Sequence, residues 1–237
     1  MRPIDKGNVP LDKSGKPIQF THYKQSKGHL MSRIGSYCSY CERSLSGNVA
    51  VEHVLPKTLH KDLELEWDNF LLACNNCNST KGHKPVILDE YLWPDKDNTF
   101  LAFEYGEGGL ISISSSLAPE IKQLAENIVN LVGLDRCPSL DPLINPEMSD
   151  TRWRERRTTF DRIKHARQSL IENDTISTRE LIVHMATATG FFSTWMSVFK
   201  DDSDMLRRFI QAFPGTSSSC FDAKSKYIAI NRSGGRL

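Results

Sequence analysis

The stretch YCSYCERSLSGNVAVEHVLPKTLHKDLELEWDNFLLACNNCNSTKGHK, residues 37–84, decides how this chain folds. It contains two Cys-x-x-Cys pairs, Cys38/Cys41 and Cys74/Cys77. Each pair offers two sulfur atoms on a short turn, which suits the tetrahedral coordination of zinc. The gap between the pairs, residues 42–73, has 32 residues and is longer than in a compact zinc ribbon. Four thiolates leave no open position on Zn²⁺, so we predict a structural zinc that clamps this segment.

The clamped segment and the residues after it predict two strands and a helix. Residues 48–55 are rich in β-branched side chains and end at Pro56, which is typical of a strand. Residues 70–73 are a second short apolar run that leads into the second cysteine pair. Residues 75–82 predict a helix that ends before Pro85. The local order is therefore strand, strand, helix.

Residues suited to phosphodiester hydrolysis lie on these elements. The reaction needs a deprotonated water, a divalent cation and a group that shields the charge of the transition state. His53 offers a base of near-neutral pKa, while the oxygens of Glu52 and Asn78 suit Mg²⁺ or Mn²⁺. Lys81 shares a helix face with Asn78 and can neutralise a phosphate. Adjacent strand residues point to opposite faces, so Glu52 and His53 serve one site only if the strand ends there.

The string CSYC…VEHVLP…WDNFLLACNNCNSTKG resembles the ββα-metal motif of HNH endonucleases. The resemblance implies that His53 is the general base and that Glu52 is a ligand of a catalytic Mg²⁺ or Mn²⁺. It also implies that Asn69 braces the loop and that Asn78 takes the place of the last histidine as the second metal ligand. This asparagine departs from the His-Asn-His pattern, and the nearest substitutes are His60 and His83. Lys57, Lys81 and Lys84 are the expected contacts to nucleic acid.

Composition places the chain among ordinary globular proteins. It has 237 residues, 25% of them charged and 39% hydrophobic, and a net charge of +1, which gives no argument for a polyanionic partner. No signal peptide or membrane span is visible, so we expect a cytoplasmic protein with no membrane partner. In a reducing compartment, Cys137 and Cys220 are expected to be free packing thiols. Residues 1–36 carry an excess of basic residues, which indicates either phosphate contacts or a solvated terminus.

The remainder of the chain predicts a hairpin and then helices. Residues 100–105 and 110–114 flank a Gly-Glu-Gly-Gly turn, and helices are expected at residues 119–133, 151–170 and 202–213. Residues 137–146 are rich in proline and predict a linker. A capping box of Ser177 and Glu180 predicts one long helix, with an apolar stripe from Leu181 to Phe199. This stripe indicates either packing within the domain or a seat for a partner.

These elements predict an α+β fold that is mainly α: a zinc-stapled ββα-metal HNH core, a small hairpin and a C-terminal helical region. We expect a nuclease domain with a basic N-terminal arm at residues 1–95. Residues 96–237 would form an accessory domain. Its basic helix at residues 151–168 is either a solvated helix or a face for phosphate or a partner.

Two further strings, MRPIDKG at residues 1–7 and TGFFSTWMSVF at residues 189–199, resemble the PtuB nucleases of Septu and retron anti-phage systems. The resemblance implies a hetero-oligomer with a PtuA-like ATPase, docked on residues 150–213. The predicted function is thus a metal-dependent endonuclease that cuts DNA. The alternatives are an RNase, for example against tRNA, and a zinc-ribbon binding module that cuts nothing. Convergence of a glutamate, a histidine and an amide favours the enzyme, whereas a histidine sealed in the core favours the binding module.

Overall fold

The computed structural model describes residues 1–237 and has a mixed, mainly helical architecture, which confirms the predicted fold class. The helices are α1 (Ser26–Ile34), α2 (Asn75–Lys81), α3 (Pro119–Val132), α4 (Arg152–Glu172), α5 (Ile176–Thr189), α6 (Phe192–Val198) and α7 (Ser203–Ala212). The strands are β1 (Ala50–His53), β2 (Phe70–Ala73), β3 (Phe103–Tyr105), β4 (Ile111–Ile113), β5 (Phe221–Asp222) and β6 (Ile228–Ala229). They form three separate antiparallel pairs, β1–β2, β3–β4 and β5–β6. None of the helices combines the length and the apolar character that a membrane crossing requires.

The pair β1–β2 and helix α2 form the expected strand, strand, helix unit. Glu52 pairs with Leu71 and His53 with Phe70. Strand β1 ends earlier than predicted, because the backbone N–H of Leu55 donates to the Asn69 side chain instead of to a strand. The Cys74 sulfur caps α2 by accepting from the Cys77 N–H. The second cysteine pair is therefore built into the first turn of this helix.

The two most buried cations of the basic N-terminal arm, Arg2 and Lys6, lie inside the fold, where they neither contact phosphate nor face solvent. Lys6 forms an ion pair with Asp95 at 3.1 Å and donates to the carbonyls of Asp68 and Phe70, both at 2.8 Å. Arg2 donates to the carbonyl of Ile34 at 2.7 Å. Both expectations were wrong here because charge counting does not register that these long side chains reach backbone carbonyls inside the fold.

Apolar side chains form two clusters. The first joins α1, the β1–β2 pair, the hairpin strand β3 and helix α3. The second joins helices α4 to α7 with Cys220 and Phe221. Hairpin residue Phe103 and α3 residue Ile128 thus belong to the same cluster as the cysteine pairs. The division of the chain into residues 1–95 and 96–237 stays a prediction.

The long helix predicted across residues 181–199 is two helices, α5 and α6. Gly190 and Phe191 separate them with φ angles of 77° and 58°, in the left-handed region. Gly190 lies against the turn after Cys41, where a Cβ atom at this position would meet the backbone nitrogen of Ser44 at 2.6 Å. Only glycine allows this approach, so the tertiary contact ends the helix.

The cap and the apolar stripe of this segment also differ from the prediction. The side chain of Thr175, rather than that of Ser177, accepts from the helix as its N-terminal cap. Leu181 is 63% exposed and Met185 is 40% exposed, whereas the neighbouring Ile182 and Ala186 are buried. Because the helix breaks at Gly190, the axis of α5 does not have to continue that of α6. Helix α5 therefore turns a different side toward the core.

Candidate metal centre and active site

The four cysteines of the two pairs meet in one buried cluster. All four sulfur atoms lie within 4.8 Å of one another. The sulfur atoms of Cys41 and Cys74 are 3.7 Å apart. A tetrahedral zinc with Zn–S bonds of about 2.3 Å places its sulfurs roughly 3.8 Å apart. The cluster therefore fits a structural zinc, and Cys137 and Cys220 lie outside it as free thiols.

The protonation state of the four cysteine thiols depends on whether a metal ion is bound. Burial raises the pKa of the Cys41 and Cys77 thiols, while hydrogen bonds from its neighbours lower the pKa of Cys74. A metal ion must displace the protons that burial favours on these thiols, so zinc uptake releases protons and weakens in acid.

His53 ends strand β1 inside an aromatic frame. Its ring lies edge-on to Tyr23 and Phe70, with centroids 5.0 and 5.3 Å away. Its Nε2 atom lies 3.0 Å from the carbonyl oxygen of Glu64. A carbonyl oxygen only accepts, so Nε2 carries the proton of the neutral ring and Nδ1 keeps a free lone pair. His53 keeps 8% of its surface exposed, so it is packed at the edge of the core and not entirely sealed.

The surroundings of His53 favour its neutral form, which is the form that a general base requires. Burial lowers the pKa of His53, and the hydrogen bond to the Glu64 carbonyl opposes this shift only in part. The nearby charge of Lys57 acts in the same direction as burial. The ring is therefore neutral at pH 7 and able to accept a proton.

Asn69 lies directly before β2 and closes the loop that follows His53. Its Nδ2 atom donates to the carbonyls of Leu55 at 3.0 Å and Leu63 at 3.1 Å. Its Oδ1 atom accepts from the Leu55 N–H at 2.7 Å. Three bonds from one buried amide fix both ends of the loop, in the arrangement expected for a brace.

Glu52 points to the other face of the strand, away from His53. Its Oε1 atom lies 2.7 Å from the Lys81 ammonium, and its Oε2 atom accepts from the Tyr40 hydroxyl at 2.8 Å. Glu52 is 2% exposed and Lys81 is 1% exposed. Lys81 also donates to the carbonyl of His53 at 2.7 Å. Lys81 is thus a buried counter-ion that ties helix α2 to the end of β1, and in this position it does not reach a phosphate.

The other predicted site residues keep some exposure to solvent. Asn78 is exposed on α2, one turn before Lys81. Lys84 is exposed, and its ammonium donates to the Leu131 carbonyl at 3.3 Å. Lys57 is half-buried, 3.2 Å from a Glu64 carboxylate oxygen and 4.2 Å from the centre of the Tyr23 ring. Lys57 is therefore the predicted cation whose contacts adjoin those of His53.

The substitute ligands His60 and His83 form no hydrogen bond with the residues that frame His53. His60 precedes a short 3-10 turn, and the exposed His83 lies 3.3 Å from the Thr58 hydroxyl. Neither forms a hydrogen bond or an ion pair with Glu52 or Asn78. The structure thus offers no reason to replace Asn78 by either histidine.

Three residues of the site were missed by sequence reasoning. Tyr40 holds Glu52, Tyr23 packs on His53, and the Glu64 backbone orients the imidazole. Tyr40 lies inside the first Cys-x-x-Cys pair, which gave a signal that it would face the clamp. Tyr23 lies outside the motif. Glu64 acts through its backbone carbonyl, so the type of its side chain could not have revealed its role.

The predicted ligands of the catalytic ion do not fit a divalent cation as they stand. The oxygens of Asn78 and Glu52 have the right chemistry for Mg²⁺. Both oxygens of Glu52 are already bonded, however, and the ammonium of Lys81 supplies its positive charge. A divalent ion at Glu52 would have to displace Lys81.

Comparison with known proteins identifies the family that the central stretch resembles. Residues 38–84 match the family described as HNH endonuclease. A segment of 56 residues is 39% identical to the Septu protein PtuB of Bacillus thuringiensis, and the match spans 22% of this chain and 22% of that protein. The matched family range runs from the first zinc ligand through β1, β2 and α2. The chain therefore contains an HNH endonuclease domain at residues 38–84.

Proposed function

We propose that this protein is an endonuclease that hydrolyses phosphodiester bonds, with DNA as its substrate and His53 as its general base. The observation that carries the proposal is the orientation of His53. Its Nε2 atom is engaged with the Glu64 carbonyl, which leaves Nδ1 as the proton acceptor. The HNH domain at residues 38–84 supports the same chemistry.

In the proposed reaction, Nδ1 of His53 takes a proton from a water molecule. The resulting hydroxide attacks the phosphorus, a new P–O bond forms, and the bond to the leaving sugar oxygen breaks. The leaving alkoxide takes a proton from solvent. Asn69 keeps the loop after His53 in place, and Lys81 holds the His53 backbone through its carbonyl. Lys57 and Lys84 are the proposed contacts to the nucleic-acid backbone.

We propose that cleavage depends on Mg²⁺ or Mn²⁺, which when bound would neutralise charge on the scissile phosphate. Asn78 remains a proposed ligand, because its side-chain amide is exposed on α2. Glu52 is the other proposed ligand, and a divalent ion at its carboxylate would have to displace Lys81.

A role in anti-phage defence is proposed from the similarity to PtuB. The proposed partner is a PtuA-like ATPase, docked on the helical region as a hetero-oligomer. Helix α5 and the end of α4 support this surface, because they expose large apolar side chains: Ile171, Ile176, Leu181 and Met185. Leu181 and Met185 lie one turn apart on α5, and contiguous exposed apolar side chains are typical of a protein interface.

The substrate is tested by incubating the zinc-loaded protein with plasmid DNA, single-stranded DNA and total RNA. Each is run with Mg²⁺, with Mn²⁺ and with a chelator of divalent ions weak enough to leave the zinc in place, alone and with a PtuA-like ATPase. The proposal expects metal-dependent cutting of DNA. Cutting of RNA alone would transfer the function to the RNase alternative, and no cutting under any condition would favour the binding module.

A further inference from the structure

The first turn of helix α4 contacts the second cysteine pair. The Nη1 atom of Arg152 lies 3.1 Å from the Cys77 sulfur and 2.7 Å from the carbonyl oxygen of Val132. The other side of the guanidinium binds Asp150 with two hydrogen bonds, of 2.8 and 2.6 Å. Arg152 is 3% exposed, so this contact is shielded from water.

The first cysteine pair is tied to the same turn of α4. Arg43, two residues after Cys41, donates to the Thr151 hydroxyl at 3.1 Å and forms an ion pair with Glu155. Arg43 also donates to the Asn76 amide oxygen, which lies inside the second pair, at 3.2 Å. One helix turn therefore bridges both zinc-binding turns.

One turn further along α4, Arg156 is buried without a carboxylate partner. It donates to the backbone carbonyls of Gly109 and Leu134, and its Nη1 atom has no hydrogen-bond acceptor. Arg156 is 2% exposed. An uncompensated buried cation is costly. Arg156 lies on the same face of α4 as Arg152, one turn away.

Zinc supplies the charge that these contacts need. Zn²⁺ with four thiolates carries a net charge of −2, whereas four protonated thiols are neutral. A guanidinium bonded to a thiolate forms a charge-assisted hydrogen bond, and a neutral thiol is only a weak acceptor. Loss of the metal would therefore weaken the Arg152–Cys77 contact.

We infer that Arg152 is a positioning residue of the zinc centre, and that zinc binding and the docking of helix α4 onto the nuclease domain depend on each other. The zinc then does more than clamp the ββα unit. It also fixes the helical region to that unit through side chains which are not zinc ligands. The inference rests on zinc binding and not on nuclease activity.

The first test compares zinc affinity in full-length Arg152→Met and the parent protein. The matched control is Arg154→Met, because Arg154 lies on the same turn and is exposed. Competition with a colorimetric chelator should show roughly a 10-fold or greater loss of zinc affinity for Arg152→Met, as is usual when a group bonded to a metal ligand is removed. The thiolate-to-metal absorption of the Co²⁺-loaded protein should shift in the same variant. An affinity within about two-fold of that of Arg154→Met would overturn the inference.

The second test needs no variant and holds even if Arg152→Met does not fold. Hydrogen exchange in the parent protein is measured with and without a zinc chelator, and helix α4 is compared with helix α7. Loss of zinc should raise exchange in the first two turns of α4 well before that of α7, which has no contact with the cysteine pairs. Unchanged protection of α4 in the zinc-free protein, or equal loss in both helices, would contradict the coupling.

Discussion

The ammonium of Lys81 lies 2.7 Å from Oε1 of Glu52, and neither side chain reaches solvent. This pair joins the end of helix α2 to strand β1, and the bond from Lys81 to the His53 carbonyl extends it to the proposed base. The lysine that the sequence assigns to substrate therefore belongs to the scaffold of the site.

Replacing Lys81 by methionine should destabilise the protein by about 3–5 kcal/mol, because it leaves the Glu52 carboxylate buried without its counter-ion. Urea denaturation of the zinc-loaded protein measures this loss. Lys84→Met is the matched control, and we expect a change of roughly 0.5 kcal/mol or less at this exposed position. The double variant Glu52→Gln/Lys81→Met should recover part of the stability. Equal stability of Lys81→Met and Lys84→Met would show that the pair contributes nothing.

Replacing Asn69 by alanine should cost about 3 kcal/mol of stability, at roughly 1 kcal/mol for each of the three hydrogen bonds that its buried amide forms. Thermal unfolding provides the measurement, and cleavage should fall because the loop after His53 loses its brace. Asp68→Ala serves as control at the neighbouring exposed position. If Asn69→Ala unfolds at the same temperature as Asp68→Ala, the hydrogen bonds of Asn69 are not what holds the loop.

The cysteine cluster predicts about one zinc per chain and a loss of folding when one ligand is removed. Cys74→Ser should fail to bind zinc and lose the fold of the ββα unit at residues 38–84, since structural zinc can contribute on the order of 10 kcal/mol. Elemental analysis and circular dichroism measure both effects. Cys137→Ser lies outside the cluster and should keep its zinc and fold. Soluble, folded Cys74→Ser would remove the structural role of the metal.

The lowered pKa of His53 predicts the pH dependence of cleavage. A base must be unprotonated, so the rate should rise with pH and level off, with a midpoint below the ordinary histidine value of about 6.5. The stability of the fold should also rise with pH, because the buried neutral His53 binds a proton less tightly in the folded protein than in the unfolded chain. That contribution is complete above about pH 6.5 and is lost as the pH falls toward the folded pKa. A pH–rate profile, with zinc content checked at each pH, tests this. A midpoint above 7 would contradict the burial argument.

The ββα unit was predictable because its signals are local. The β-branched run at residues 48–55 marks the first strand, the apolar run at residues 70–73 marks the second, and Cys74 caps the helix. The meeting of the four cysteines followed from their spacing alone. The hairpin β3–β4 and helices α3 and α7 were predictable for the same reason.

The remaining features depend on contacts between distant parts of the chain. The break between α5 and α6 arises where Gly190 meets the turn after Cys41, and the local pattern across residues 181–199 continues through it. The burial of Lys81 depends on Glu52, 29 positions earlier in the chain. Arg152 looks like one cation among several on a basic helix until the fold brings it to Cys77.

The most direct measurement of the central proposal compares His53→Ala with the parent protein in DNA cleavage at matched Mg²⁺ and zinc content. General-base catalysis by a positioned side chain is worth roughly 100- to 10,000-fold. The proposal predicts a loss of that size in a variant whose zinc content and circular dichroism match those of the parent. Cleavage by His53→Ala at the parent rate would contradict the assignment of His53 as the base.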